Sequence, residues 1–193
     1  MALQKPVTNG TLVQRFDGHL SGGAFWYQNL GSIVINGRTV PNPLAAYKYK
    51  FPGATGYSGL YHAALDYDAP TGTSILAAER SKIIQFGTDP YSGYAKYIIL
   101  EISPHTANRE RVRIENWHLN GFRSSIYVGQ VVPKGFVVGY VNTTGWANGP
   151  HDHFVLKMLE HDPDGVWREY LYNPLRFITG GDLQNDPRVK PYY

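Results

Sequence analysis

The chain contains no cysteine. That excludes disulfides, thiolate metal sites and thiol nucleophiles together, so any bound metal must be held by histidine and carboxylate groups. Also missing is an apolar run long enough to cross a membrane, and the opening residues, Met1-Ala2-Leu3-Gln4-Lys5-Pro6, hold no apolar segment of the kind a secretion signal needs. The expectation is a protein with no signal peptide and no membrane insertion. A His-Glu-x-x-His stretch is absent too, which removes the common helix-borne zinc site. Methionine is scarce, at two residues. The formal charge is +3 and the pI about 9.0. That balance suits an anionic polymer, but lysine and arginine are scattered rather than clustered, so nucleic acid is not indicated.

What is abundant is turn and strand chemistry. With 21 glycines, 13 prolines and 15 tyrosines in 193 residues, the composition favours an all-β, turn-rich fold with minor helix. The length suits one domain, at residues 1–179, followed by a C-terminal tail at 180–193 with little pattern. Residues 5–17 read as a first strand ended by Asp17-Gly18. From 18 to 56 the chain becomes rich in Gly, Asn, Pro and aromatics and reads as an insertion, with one hairpin in which Ser32-Ile33-Val34-Ile35 meets an Asn36-Gly37 turn. Further strands are predicted at 74–77, 82–86, 97–102, 112–117 and 136–141, in a compact and mostly antiparallel sheet structure. Residues 104–111 are polar and predict a protruding hairpin tip.

The chemistry concentrates in Gly149-Pro150-His151-Asp152-His153-Phe154, where a turn runs into a strand-like alternation. Same-side residues on a strand lie about 6.5 to 7 Å apart, so the two imidazoles can converge on one target such as a metal ion. Asp152 should point to the opposite face and serve a structural role. Upstream, His62 and Asp66 are four residues apart, which spans about 13 Å on a regular strand, so a bend or bulge is needed to bring them together. Alone, each is an ordinary histidine or turn aspartate. With the His-Asp-His stretch they complete a His, Asp, His set that leaves one tetrahedral position open, although which of His151 and His153 would bind is left undecided by the residues. His118, at a strand end, would alone be read as a half-buried packing residue. His19, His105 and His161 read as solvated loop residues.

Taken in order, His62-x-x-x-Asp66, Trp117-His118-Leu119, Gly129-Gln130, Lys134-Gly135, Gly139-Tyr140, Thr144-Gly145, Gly149-Pro150-His151-x-His153-Phe154 and Asn173-Pro174-Leu175-Arg176-Phe177-Ile178 resemble the lysostaphin/LytM-type zinc metallopeptidases, over about residues 57–178. The resemblance implies a central antiparallel β-sheet with duplicated hybrid motif-like character and an active-site groove bounded by loops. It implies one Zn²⁺ per chain on His62, Asp66 and His153, with His118 and His151 as catalytic histidines. Tyr57, Tyr61, Trp117 and Trp146 become candidate substrate-binding walls. The implied reaction is hydrolysis of peptide bonds in the stem or cross-bridge of bacterial peptidoglycan.

Departures from the pattern fall at Ser81, where a glycine is usual, and at Asp152, where an apolar or small residue is common. The 18–56 insertion could widen recognition, contact another protein or occlude the site, with Asn29 or Asn42 reaching the open metal position. A wall hydrolase without a signal implies delivery as a phage endolysin or a virion tail component, with other virion proteins as partners; a trimmed bacterial enzyme explains the same fact. Two other readings compete: a catalytically silent LytM-like binding or structural module, and a D-Ala-D-Ala-type carboxypeptidase. The latter would need an aspartate at Ala69 and leaves the His-Asp-His stretch unused.

Overall fold

The computed structural model of the chain describes residues 3–14, 27–28, 32–35, 38–41, 60–61, 64–102, 111–161, 167–172, 174 and 178. Helix is nearly absent among them. The strands are β1 (Thr11–Gln14), β2 (Tyr27–Gln28), β3 (Ser32–Ile35), β4 (Arg38–Pro41), β5 (Leu60–Tyr61), β6 (Leu65–Asp68), β7 (Ser74–Leu76), β8 (Ser81–Asp89), β9 (Ala95–Ile102), β10 (Arg111–Trp117), β11 (Leu119–Phe122), β12 (Val131–Val132), β13 (Val137–Val141), β14 (His151–His161) and β15 (Trp167–Tyr172).

The large sheet runs β1-β6-β14-β10-β9-β8-β12, with β15 added to the far half of β14. Each of its neighbouring strand pairs is antiparallel. A second sheet of three strands, β11-β13-β7, lies off this path.

Alternation in the sequence explains why these segments pair as they do. One face of the large sheet carries Leu65 and Tyr67 of β6, Phe154 and Leu156 of β14, Ile114 of β10, and Ile98 and Leu100 of β9, all buried. The small sheet contributes Ile75, Leu119, Val138 and Val141 to the same core. Fully burying a side chain of this size contributes about 1.5 to 3 kcal/mol. The other face of the large sheet carries Asp66, His153, Trp117 and Tyr97 in a row across four strands. That row is where the site lies.

The strand-rich, antiparallel architecture agrees with the sequence. The hairpin within the insertion forms as β3 and β4, with Ile35 opposite Arg38. Two local expectations need correction. The first strand is short, because residues 6–9 form bends and turns and the ladder starts only at Thr11. His161 is not a loop residue: it ends β14, opposite Trp167. The 104–111 segment and the 180–193 tail fall outside the described residues, except for Arg111, which begins β10.

Phe154 is fully buried next to the site strand's histidines. Phe154→Ala should cost about 3 to 5 kcal/mol of stability, read as a lower urea midpoint with an unchanged slope.

Candidate metal centre

Strand register assembles the site. His153 of β14 sits between Asp66 of β6 on one side and Trp117 of β10 on the other. Nδ1 of His153 donates to Oδ1 of Asp66 at 2.9 Å. Two residues earlier on the same face, Nε2 of His151 lies 3.9 Å from that carboxylate oxygen. His118 completes the cluster, its ring centroid 4.8 Å from that of His151 and 5.7 Å from that of His153.

His118 reaches this face against the strand rule. Trp117 faces the site, so the next residue on a regular strand would turn into the core. Instead His118 adopts φ 67, the left-handed region, and the chain breaks from β10 into β11. A non-glycine residue held there costs about 1 to 3 kcal/mol, a strain found at functional sites. Thr144 opposes that cost. Its carbonyl accepts Nδ1–H of His118 at 2.7 Å, while its hydroxyl donates to Leu119 O at 2.9 Å and accepts Lys96 N–H at 3.0 Å. The following residue, Gly145, has φ 77, and a Cβ there would stand 2.6 Å from Ser92 O, so the turn that delivers Thr144 requires glycine.

The tautomers follow from these bonds. His118 is tied through Nδ1–H to Thr144 O, and His151 through Nδ1–H to Gly149 O at 2.9 Å. Each therefore carries its lone pair on Nε2. Burial, then the neighbouring His153 and His151, push the His118 pKa down to about 3, so it is neutral at pH 7.

A cation fits this donor set. Ligand-capable nitrogens of His118, His151 and His153 lie within 4.8 Å of one another. Nε2 of His151 is buried with no hydrogen-bond partner among the described residues, a lone pair without a proton to accept. The edge of a tetrahedron with bonds of about 2.0 to 2.2 Å is about 3.3 to 3.6 Å, so Asp66 Oδ1 and His153 Nδ1, 2.9 Å apart, can serve one ion by parting a few tenths of an ångström once the proton between them leaves. Nitrogen and oxygen donors of this kind suit zinc.

The structure brings Asp66, His118, His151 and His153 together. His62 and Tyr57 lie outside the described residues, as do Asn29 and Asn42. Ahead of Asp66, Ala64 lies in a bend and β6 starts at Leu65. Tyr61 pairs through its backbone with Tyr27 of the insertion. Trp117 stands beside His153, stacked on Tyr97 at 4.7 Å and 23°, with Nε1 donating to Glu115 at 2.9 Å. Glu115 in turn accepts Lys157 at 2.7 Å. Trp146 packs over Gly93, where an added Cβ would lie 2.5 Å from its ring. Ser81, at a usual glycine position, is buried and donates its hydroxyl to Glu79 O at 2.7 Å. The clamp by Thr144 was not foreseen, because the bond that holds His118 is made by a backbone carbonyl that any residue type could supply.

Peptidase family M23 matches residues 60–164, more than half of the chain, and the chain belongs to that family. Glycyl-glycine endopeptidase ALE-1 of Staphylococcus capitis is 26% identical over 103 residues, 53% of this chain and 26% of the relative. The chain spans about a fifth to a quarter of the length of the curated relatives it matches. Its fold is similar to the catalytic domain of the antimicrobial peptidase lysostaphin from Staphylococcus simulans, with TM-score 0.55 at 19% identity, covering 89% of this chain and 94% of that one. It is also similar to a zinc containing peptidase from Vibrio cholerae, with TM-score 0.54 at 19% identity, covering 91% of this chain and 40% of the other. The lysostaphin/LytM-type resemblance of the sequence is thus borne out in family and in fold.

Asp152 turns to the core face as alternation demands, opposite Tyr67. Its carboxyl is buried with no hydrogen-bond partner among the described residues, and burial, then the charge of Asp66, raise its pKa well above the ordinary 3.8. The folded chain keeps this proton, whereas the unfolded chain releases it above about 3.8, so stability contributed here is lost as pH rises above that value. Asp152→Asn has no proton to lose. Its stability relative to wild type should grow between about pH 4 and pH 8 in urea unfolding of the metal-free protein; a constant difference across that range would contradict the assignment.

Proposed function

We propose that the chain is a zinc-dependent endopeptidase that hydrolyses peptide bonds in the stem or cross-bridge peptides of bacterial peptidoglycan. The observation that carries the reading is the convergence of Asp66 and His153, 2.9 Å apart, beside two histidines whose Nδ1 protons are already tied to backbone carbonyls. Membership of Peptidase family M23 and similarity to a glycyl-glycine endopeptidase support the reaction class. Similarity in fold to a zinc containing peptidase agrees with the choice of metal.

In this proposal Asp66 and His153 hold the ion together with His62. When bound, zinc would supply Lewis acidity toward a water molecule and the scissile carbonyl. His118 and His151 then do the proton work. Each has its lone pair on Nε2 in the tautomer fixed by Thr144 or Gly149, so one of them can take a proton from the attacking water there and, as the imidazolium so formed, give that proton to the departing amine. The imidazolium that forms transiently can steady the charge on the carbonyl oxygen. No carboxylate base is required. Trp117, fixed by Tyr97 and Glu115, forms a flat wall beside His153 against which a peptide of small residues can lie.

Purified wild type should contain about one zinc per chain and release new amino groups from peptidoglycan. His153→Ala should lose both, with cleavage reduced by at least about a hundredfold. Zinc bound without any cleavage, or neither zinc nor cleavage in the wild type, would overturn the enzyme in favour of a silent binding module.

A further inference from the structure

Asp68 is a further carboxylate on the site face, and nothing in the proposed reaction uses it. It lies two residues beyond Asp66 on β6, so it shares that residue's face, and it is directly opposite His151 on β14 and Thr11 on β1. Directly opposed side chains on an antiparallel ladder have Cβ atoms about 4.5 to 5.5 Å apart, so Asp68 is an immediate neighbour of His151. It is exposed, unlike Asp66, and makes no hydrogen bond or ion pair among the described residues. Among the described residues, three lysines of this part of the fold have other partners. Lys5 bonds to Gly10 O and lies over the Tyr67 ring on the opposite face, Lys96 donates to Asn120 O, and Lys157 pairs with Glu115. Among the described residues, Asp68 therefore stands as a carboxylate without a cationic partner at the edge of the histidine cluster, available to whatever binds there.

We propose that Asp68 is a specificity-determining residue that favours peptides carrying a free ammonium group within about two residues of the scissile bond, a span of about 7 Å in extended chain. The proposal rests on the endopeptidase reading, and it names the charge of the substrate at that same site. An α-ammonium at the start of a short glycyl peptide and the side-chain ammonium of a diamino residue share this chemistry. Because the carboxylate is solvent-exposed, its pairing with an ammonium is weak and screened by salt, worth about a two- to fivefold preference at low ionic strength. Its role is selection, not catalysis.

The test uses the zinc-loaded protein and three probes: pentaglycine, Nα-acetylpentaglycine, and an Nα-acetylated glycyl peptide with one central lysine. Wild type should show a KM about two- to fivefold lower for each ammonium-bearing probe than for acetylpentaglycine, with kcat little changed and the difference lost at about 1 M salt. Asp68→Asn should abolish the preference while leaving the acetylated peptide unaffected, and Asp68→Lys should reverse it. A preference confined to one ammonium probe identifies which source the site reads. Unchanged selectivity in Asp68→Asn, or an equal loss on all three probes, overturns the proposal. The same ratios measured as Kd by NMR titration judge the charge selection separately from hydrolysis. Absence of cleavage with the binding preference intact would overturn the endopeptidase reading alone, and equal binding of all probes would overturn the role of Asp68.

Discussion

Everything at the site depends on the register of β14. Its pairing with β6 on one side and β10 on the other sets His153 between Asp66 and Trp117. The side chains of a strand alternate with period two, so a slip of one residue would send both histidines into the core and Asp152 to the site face. What prevents the slip is packing. Phe154 and Leu156 are fully buried on the opposite face, facing Leu65, Tyr67 and Ile114 within one core, and exposing that set would cost several kcal/mol. The geometry of the histidine and aspartate cluster is therefore fixed by apolar side chains on the opposite face of the sheet.

His118 is placed by a different means, and the contrast is informative. The sheet alone would turn it inward, beside Asn116, so a left-handed residue breaks β10 and swings the imidazole to the histidine cluster. Local strain is offset by a 2.7 Å hydrogen bond to Thr144, itself tied to two further strands through its hydroxyl, to Leu119 O on β11 and to the amide of Lys96 on β9. The ring consequently has one tautomer and little freedom. His118 is thus held in a strained backbone conformation by hydrogen bonds from outside its own strand, an arrangement in which geometry outweighs local comfort.

Much of this was legible from the residues alone. Alternation at His151-Asp152-His153 gave the shared face of the histidines and the opposite fate of Asp152, because strand period is a strong local signal. Strand-rich composition and turn spacing gave the all-β class. The residues could not show that His118 leaves strand geometry, since a positive φ in a histidine has no sequence mark. Nor could they show that Trp117 stacks on Tyr97 while Trp146 packs over Gly93: both are tryptophans beside site residues, and only long-range register separates them. Which of the paired histidines meets Asp66 was undecidable from spacing, and the cross-strand partner of His153 supplies the answer.

The most direct test of the metal centre is an anomalous difference map at the zinc edge from crystals of the zinc-loaded protein. The account predicts one strong peak at bonding distance, about 2.0 to 2.2 Å, from both Oδ1 of Asp66 and Nδ1 of His153, with His118 and His151 nearby but unbonded. A peak bonded instead by the three imidazoles of His118, His151 and His153, leaving Asp66 outside, would contradict it.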